Sequence, residues 1–449
     1  MNALKTDLYE LTMAAGYFYQ NMNRTAAFSL FSHSLPQNRP FILTAGQQQI
    51  AEFILEMRFS NEDIQYLRSV PALKDVGDEF FDYLKDFRFS GDIRAVPEGT
   101  VVFGDEPILE VTAPIIEAQI LETFALAAVN INSLVATKGA RIVHAANLDG
   151  KKRKVVDFGS RRAHGPEAGL LSARAGYLAG CDGTSDVMAG RRYNIPVFGT
   201  VAHSWVTCFK EEIEAFKAYH EIFPGHTILL IDTYDTIEAA KQITRLSYRG
   251  KIKSVRIDSG DLPALSREVR RIFDEAGLGE IKIILSGGLD EYKITQLIRD
   301  GAPVDAFGVG TALVTSKDYP ALDLAYKLVE FHDEEGRPMY VQKFSPGKTT
   351  KPGRKQIFRF LGNDGRIVKD VLGLFDEPCP AGARPLLQPL VNNGRPAEGL
   401  RSLEEMREYA AGQLAVLPDG TLDAEPKGPA PKPEISPRLQ SVMKKGGCE

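Results

Sequence analysis

Cysteine is scarce in this chain. Cys181, Cys208, Cys379 and Cys448 lie far apart and form no Cys-x-x-Cys pair, which excludes a disulfide framework or a cysteine zinc site and fits a reducing cytosol. Uninterrupted apolar runs of membrane-spanning length are also missing. The longest candidate, "IIEAQILETFALAAVNINSLVA", carries Glu117, Glu122, Asn130 and Asn132, so it reads as an amphipathic helix and no membrane partner is expected. The first residues, "MNALKTDLYELTMAAGYF", are broken by Lys5, Asp7 and Glu10 and do not form a secretory signal. There is no excess of positive charge: 54 basic against 59 acidic residues give a net charge of −5. That balance predicts no nucleic-acid partner and leaves phosphate binding to local clusters. Walker loops, His-Glu-x-x-His pairs, a Rossmann Gly-x-Gly-x-x-Gly and a lysine marked for a Schiff base are likewise absent.

At 449 residues the chain is too long for one ordinary core and predicts two or three domains. The first 90 residues read mainly as helix, with apolar spacings of three and four around Leu4–Tyr19 and Ile42–Met57. Residues 89–112 hold short β-branched runs broken by Pro97, Gly99, Gly104 and Pro107, which predict strands joined by tight turns. A long helix near 115–146 follows.

From residue 153 one pattern recurs. Short apolar runs, "VVDFGS", "PVFGT", "TILLIDT", "VRIDSG", "IKIILSGG" and "AFGVGT", end in small or polar residues, with helical segments between most of them. This is the pattern of βα units on a parallel sheet, and a (β/α) barrel is the preferred closure. Ligands then bind beyond the carboxyl ends of the strands. The expected domains are a helical N-terminal part to 135, the barrel over 136–335, a returning segment over 336–423, and a proline-rich extended tail from 424.

The strand ends carry the chemistry. "DFGSRRAHG" brings Asp157, Arg161, Arg162 and His164 together. Paired arginines suit a carboxylate or phosphate, although such pairs more often lie on solvated faces. "RIDSGDL" places Arg256, Asp258 and Asp261 together. The two carboxylates suit magnesium or ribose hydroxyls, and Ser259 or Asp261 also suits a helix cap over 262–276, a reading compatible with the first. Ser286, Gly287 and Gly288 in "LSGG" and Gly308, Gly310 and Thr311 in "GVGT" form two glycine loops, each after an apolar strand, in the manner of barrel phosphate sites. "QKFSPGKTTKPGRKQIFR" (342–359) holds six basic residues and no acid, so it is either a cover for a polyphosphate or a solvated hairpin. His203, beside the chain's only tryptophan, reads locally as a structural histidine, Tyr9 as a core aromatic and Asp7 as a helix cap. The composite is an α/β enzyme acting on a phosphorylated small molecule.

Seven segments together resemble the nicotinate phosphoribosyltransferase family: "TDLYELTMAAGYF", "ATKGAR", "DFGSRRAHG", "GTVAHSWV", "RIDSGDL", "GVGTALVT" and "PGKTTKPGRKQIFR". They run in the family's order to about residue 375. The resemblance implies an N-terminal α/β sandwich completed by the segment after an irregular (β/α) barrel, and a homodimer with the active site near the interface. It implies transfer of phosphoribosyl from phosphoribosyl diphosphate to nicotinate, coupled to ATP and requiring Mg2+. It puts Tyr9 and Thr200 at the nicotinate ring, with Ser185 and Asp186 in a neighbouring loop, and Arg161 on the carboxylate or a phosphate. Arg256 and Asp258 fall near the ribose, diphosphate and metal, with Asp261 as a second metal ligand. The glycine loops with Ser286 and Thr311 hold the 5′-phosphate, and His203 is the histidine that ATP phosphorylates. Asp186 stands where the family commonly has asparagine. Related nicotinamide-using enzymes carry an aspartate in this loop that accepts from the amide, which keeps nicotinamide as the alternative substrate. Quinolinate enzymes are shorter and lack the histidine segment, and a non-catalytic phosphosugar-binding barrel would not need it.

Overall fold

The computed structural model describes residues 3–342, 350–426 and 431–445. The chain divides into two compact units, one of Met1–Leu134, Ala321–Thr421 and Pro426–Glu449, the other of Val135–Pro320 with Leu422–Glu425.

The first unit is built on a seven-stranded sheet in the order Pro338–Tyr340, Leu324–His332, Thr25–Ser32, Pro107–Pro114, Asp92–Ala95, Gln388–Asn392, Arg395–Pro396. All its pairings are antiparallel. A four-stranded sheet, Ala383–Pro385, Lys355–Leu361, Ile367–Leu374 and Glu434–Ile435, accompanies it. Helices Leu8–Tyr19, Gln47–Glu56 and Asp78–Lys85 contribute Leu11, Ile50, Phe53, Ile54, Phe80 and Phe81 to a large apolar core. The mainly helical expectation for the first 90 residues therefore needs correction, because Thr25–Ser32 is a central strand. Seven of its eight residues are buried in succession, so it shows none of the alternation that marks a half-exposed strand.

Three further expectations change. The barrel segment was expected to reach 335, but the second unit's main segment ends at Pro320. Leu324–His332 pairs with Thr25–Ser32 in the first unit's sheet. The tail is not wholly extended, since Glu434–Ile435 adds to a sheet edge and Pro437–Lys445 is helical. The basic stretch is not a solvated loop throughout. Residues 343–349 lie outside the described residues, but Lys355–Leu361 is a strand. Each described basic residue there has an acidic partner: Lys351 with Asp105, Arg354 with Glu330, Lys355 with Glu110 and Arg359 with Asp370. In that part of the stretch the basic side chains are paired within the protein.

The helix Glu122–Ala146 follows the short helix Ile115–Gln119. Ile115–Ala146 is long and apolar enough to cross a membrane, with a mean hydropathy of 1.5, but 61% of its most apolar window is buried within the protein. That burial is the pattern of a core helix.

The second unit is an α/β layer on a six-stranded sheet whose every pairing is parallel. The order is Gly183–Thr184, Lys154–Asp157, Ala306–Val309, Lys282–Leu285, Ser254–Ile257, Ile228–Leu230. A parallel bridge from Thr184 to Val197 extends one edge. Among the described residues no ladder joins that edge to Ile228–Leu230, so the hydrogen-bonded sheet is open. Helices follow the strands, including Leu262–Glu275 after Ser254–Ile257 and Glu291–Arg299 after Lys282–Leu285. Because the strands run one way, all their carboxyl ends lie on the same edge of the sheet, which is where such folds place their ligands.

Candidate active site

The loop after each parallel strand is tied to its neighbour, and together these ties define the site. After Lys154–Asp157 the chain turns through Phe158 and Gly159. Gly159 is obligatory there, because a methyl group would collide with Val314. Asp157 is buried and accepts from Gly159 N (2.7 Å) and Thr184 Oγ1 (2.9 Å). Burial pushes its carboxyl up to about 6, against the pull of those two donors. Its role is to hold two strand ends together.

That shift has a testable consequence. A raised carboxyl pKa costs nothing below pH 4, where Asp157 is protonated whether the chain is folded or not. Between about pH 4 and 6 the unfolded chain releases its proton while the fold retains it, so the native state loses relative stability, and above 6 the loss is constant. The change amounts to about 3 kcal/mol. Asp157→Asn keeps one acceptor for Gly159 and one donor for Thr184. Relative to wild type it is expected to gain about that much between pH 4 and 7 in urea unfolding. A difference that stays flat with pH would show that Asp157 has ordinary acidity.

Arg161 and Arg162 follow in a short 3-10 turn, Ser160–Arg162, exposed and without an acidic partner among the described residues. Asp186 is already engaged. One oxygen caps helix Val187–Tyr193 through Ala189 N (2.8 Å), and the other accepts from Ser160 Oγ (3.0 Å). Ser185 donates its backbone N–H to Asp157 O at 2.8 Å.

Arg256 stands on the strand Ser254–Ile257, half-buried, with its Nε buried and unpartnered and its guanidinium 5.9 Å from the Phe158 ring centroid. Burial lowers its proton affinity, Asp258 and Asp232 oppose that, and Arg161 adds repulsion. A desolvated guanidinium with an unused donor beside a second arginine is a site for an anion. Asp258 accepts from Ser286 Oγ at 2.5 Å. Asp232 accepts from Asp258 N (3.0 Å) and Ser259 Oγ (2.6 Å) through one oxygen, while its other oxygen is buried without a partner. Asp261 instead caps helix Leu262–Glu275 through Ala264 N (3.0 Å). The cap uses one oxygen of Asp261.

The glycine loops flank this group. Gly287 has φ +93° and Gly288 φ +62°. Gly308 packs under the Phe158 ring, where a side chain would not fit. Gly310 precedes helix Thr311–Val314, with Thr311 exposed at its start. His203 opens helix His203–Thr207, and its Nδ1 lies 3.1 Å from Thr233 Oγ1. Thr200, three residues earlier, is half-buried.

The structure thus brings Arg161, Arg256, Asp258, Ser286, Asp232, Thr233 and His203 to one edge of the parallel sheet. Tyr9 belongs to the first unit. It is 43% exposed on helix Leu8–Tyr19, and its phenol acidity is weakened by partial burial and the nearby Glu122. Sequence reading missed three residues of the second unit. Asp232 and Thr233 were visible as the polar end of "TILLIDT" but drew no role. Glu212 carries no motif at all. Its half-buried carboxyl is pushed up to about 7 by burial and by the nearby Asp232 and Asp235. Among the described residues no cluster of three or more metal-ligating side chains occurs.

Comparison with known proteins agrees on one family. Residues 4–130 match the model described as nicotinate phosphoribosyltransferase (NAPRTase) N-terminal domain, and residues 153–355 match that of the nicotinate phosphoribosyltransferase (NAPRTase) family. Nicotinate phosphoribosyltransferase pncB2 of Mycobacterium tuberculosis is 44% identical over 444 residues, covering 98% of this chain and 92% of its own. The Homo sapiens nicotinate phosphoribosyltransferase is 33% identical, covering 92% and 91%. The crystal structure of human nicotinic acid phosphoribosyltransferase superposes with a TM-score of 0.84 at 29% identity, covering 98% of this chain and 99% of that one.

Proposed function

The chain belongs to the nicotinate phosphoribosyltransferase family of enzymes, and from that premise we propose that its second unit joins nicotinate to 5-phosphoribosyl 1-diphosphate in NAD salvage, with ATP hydrolysis coupled through a transient phosphohistidine at His203. The products are nicotinate mononucleotide and diphosphate. The observation that carries this reading is the line of contacts along the sheet edge: His203 to Thr233, Asp232 to Asp258 and Ser259, and Asp258 to Ser286. It links the histidine to a phosphate loop through the acids nearest Arg256.

The chemistry asks for positioning more than for a base. The ring nitrogen of nicotinate is already nucleophilic, so the enzyme must align two anions and stabilise positive charge on the ribose as diphosphate leaves. Arg161 takes the nicotinate carboxylate or a phosphate, and Arg256 offers its unpaired Nε to the diphosphate side. Thr200 borders the ring, with Ser185 nearby. Ser286, Gly287, Gly288, Gly308, Gly310 and Thr311 form the 5′-phosphate cradle. The acid is favoured over the amide because both oxygens of Asp186 are engaged within the protein.

Magnesium suits the oxygens available. The unpartnered Asp232 oxygen and Asp258 are hard donors that would hold it together with diphosphate and water, and Asp261 would add the oxygen not used in its cap. Bound there, the ion would offset the diphosphate's charge. The open parallel sheet is taken as an irregular (β/α) barrel, the antiparallel unit as its α/β sandwich, and the working form as a homodimer with the site near the interface.

Purified protein incubated with phosphoribosyl diphosphate and either nicotinate or nicotinamide, with and without ATP, tests the reading. Mononucleotide is expected from nicotinate, faster with ATP. Product from the amide alone would overturn the substrate assignment.

A further inference from the structure

The cations of "ATKGAR" face inward. Lys138 and Arg141, on helix Glu122–Ala146, have side chains 1% and 0% exposed. Lys138 Nζ lies 2.5 Å from Glu291 Oε2 and 2.6 Å from Asp318 Oδ1. Arg141 Nη1 lies 2.9 Å from Glu291 Oε1 and 3.8 Å from Asp318, while its Nη2 donates to Ala424 O at 2.8 Å. Glu291 is itself fully buried, and neither of its oxygens makes an aligned hydrogen bond. Its carboxylate is held by charge alone.

Such a cluster is a poor way to gain stability. Each buried ion gives up several kcal/mol of hydration, and apolar side chains of similar volume do as well or better. What the charges supply is fixed distance. Glu291 is the first residue of the helix that follows Ser286–Gly288, and Lys293 of the same helix reaches back to Gly288 O at 2.8 Å. Asp318 lies just beyond Thr311–Val314, the helix that follows Gly308–Gly310. One ammonium group therefore joins the trailing ends of both glycine loops.

We propose that Lys138 and Arg141 are positioning residues for the phosphoryl end of the substrate, holding the two glycine loops at the separation a 5′-phosphate requires. They touch no substrate. The inference rests on the phosphoribosyl diphosphate reading above.

The test uses the full chain carrying Lys138→Met with Asp318→Asn, which removes one charge of each sign and keeps the cluster neutral. Expected is a rise of about tenfold in KM and in the calorimetric Kd for phosphoribosyl diphosphate, with KM for nicotinate within about twofold of wild type. A general loss of packing would reduce active protein without separating the two substrates. Glu291→Gln, nearly isosteric, serves if the double variant does not fold, with the same split expected. A folded variant with wild-type affinity for phosphoribosyl diphosphate, or an equal rise for both substrates, overturns the proposal. Wild-type protein that binds phosphoribosyl diphosphate without converting nicotinate sinks the functional reading alone and leaves Kd to judge the loops. Wild-type protein that does not bind it overturns both.

Discussion

His203→Ala is expected to lower ATP hydrolysis by at least about 1000-fold and to abolish acid-labile labelling from γ-labelled ATP, while slow phosphoribosyl transfer survives. The separation of the two activities follows from the geometry. His203 sits at the first position of its helix with Nδ1 on Thr233, so the imidazole is oriented before any nucleotide arrives. Arg256, Asp258 and the glycine loops do not depend on it for their contacts. On the proposed reading, removing the ring deletes the phosphoryl acceptor and leaves the contacts of Asp232, Asp258 and Ser286 in place. The measurements are phosphate release with both substrates present, product formation without ATP, and a label chase through acid. Unchanged ATP coupling in the variant would remove His203 from the mechanism.

Gly287→Ala is expected to cost about 100-fold in kcat/KM, and more than Gly288→Ala beside it. Both glycines have positive φ, so each substitution carries a backbone penalty of about 1–2 kcal/mol. The surroundings separate them. A methyl group on Gly287 would be driven into the carbonyl oxygen of Asp258, which belongs to the neighbouring strand-end loop. On Gly288 it would meet only the end of the Lys293 side chain, 3.5 Å away. The first substitution must move backbone that presents Asp258, whereas the second can displace a flexible chain. Steady-state kinetics of the two variants, with thermal melting to confirm folding, provide the comparison. Equal losses would mean that the close approach of the two loops is not needed for turnover.

The second unit was legible because its strands announce themselves twice, by apolar runs and by the small or acidic residue that ends each run. Five of the six runs become strands of the parallel sheet, "PVFGT" makes a bridge at its edge, and the remaining strand, Gly183–Thr184, was announced by none of them. What the sequence could not convey is contact across the sheet. Asp232 gains its importance only when Ser259 and the Asp258 amide reach it, and the weakened acidity of Glu212 comes only from burial and the nearby Asp232 and Asp235. Asp261 suited metal and cap alike, and the backbone amide of Ala264 donates to one of its oxygens. Thr25–Ser32 was hidden by its uniform burial. The basic run misled for the converse reason, since its acidic partners Asp105, Glu110, Glu330 and Asp370 lie far away in sequence or beyond a turn.

The pairing of Thr25–Ser32 with Leu324–His332, Ala26 opposite Phe331, sets an order of events on the ribosome. About three hundred residues must be translated between one strand and its neighbour, which takes roughly 15 to 60 s at ordinary elongation rates. Once Pro107–Pro114 has been made, Thr25–Ser32 can pair with it on one side, and its other edge remains an unpaired row of amides and carbonyls. The main segment of the second unit, Val135–Pro320, is synthesised before that edge is closed. Vectorial synthesis therefore completes the parallel sheet of the second unit before the antiparallel sheet of the first, and leaves one edge of Thr25–Ser32 open until residue 332 emerges.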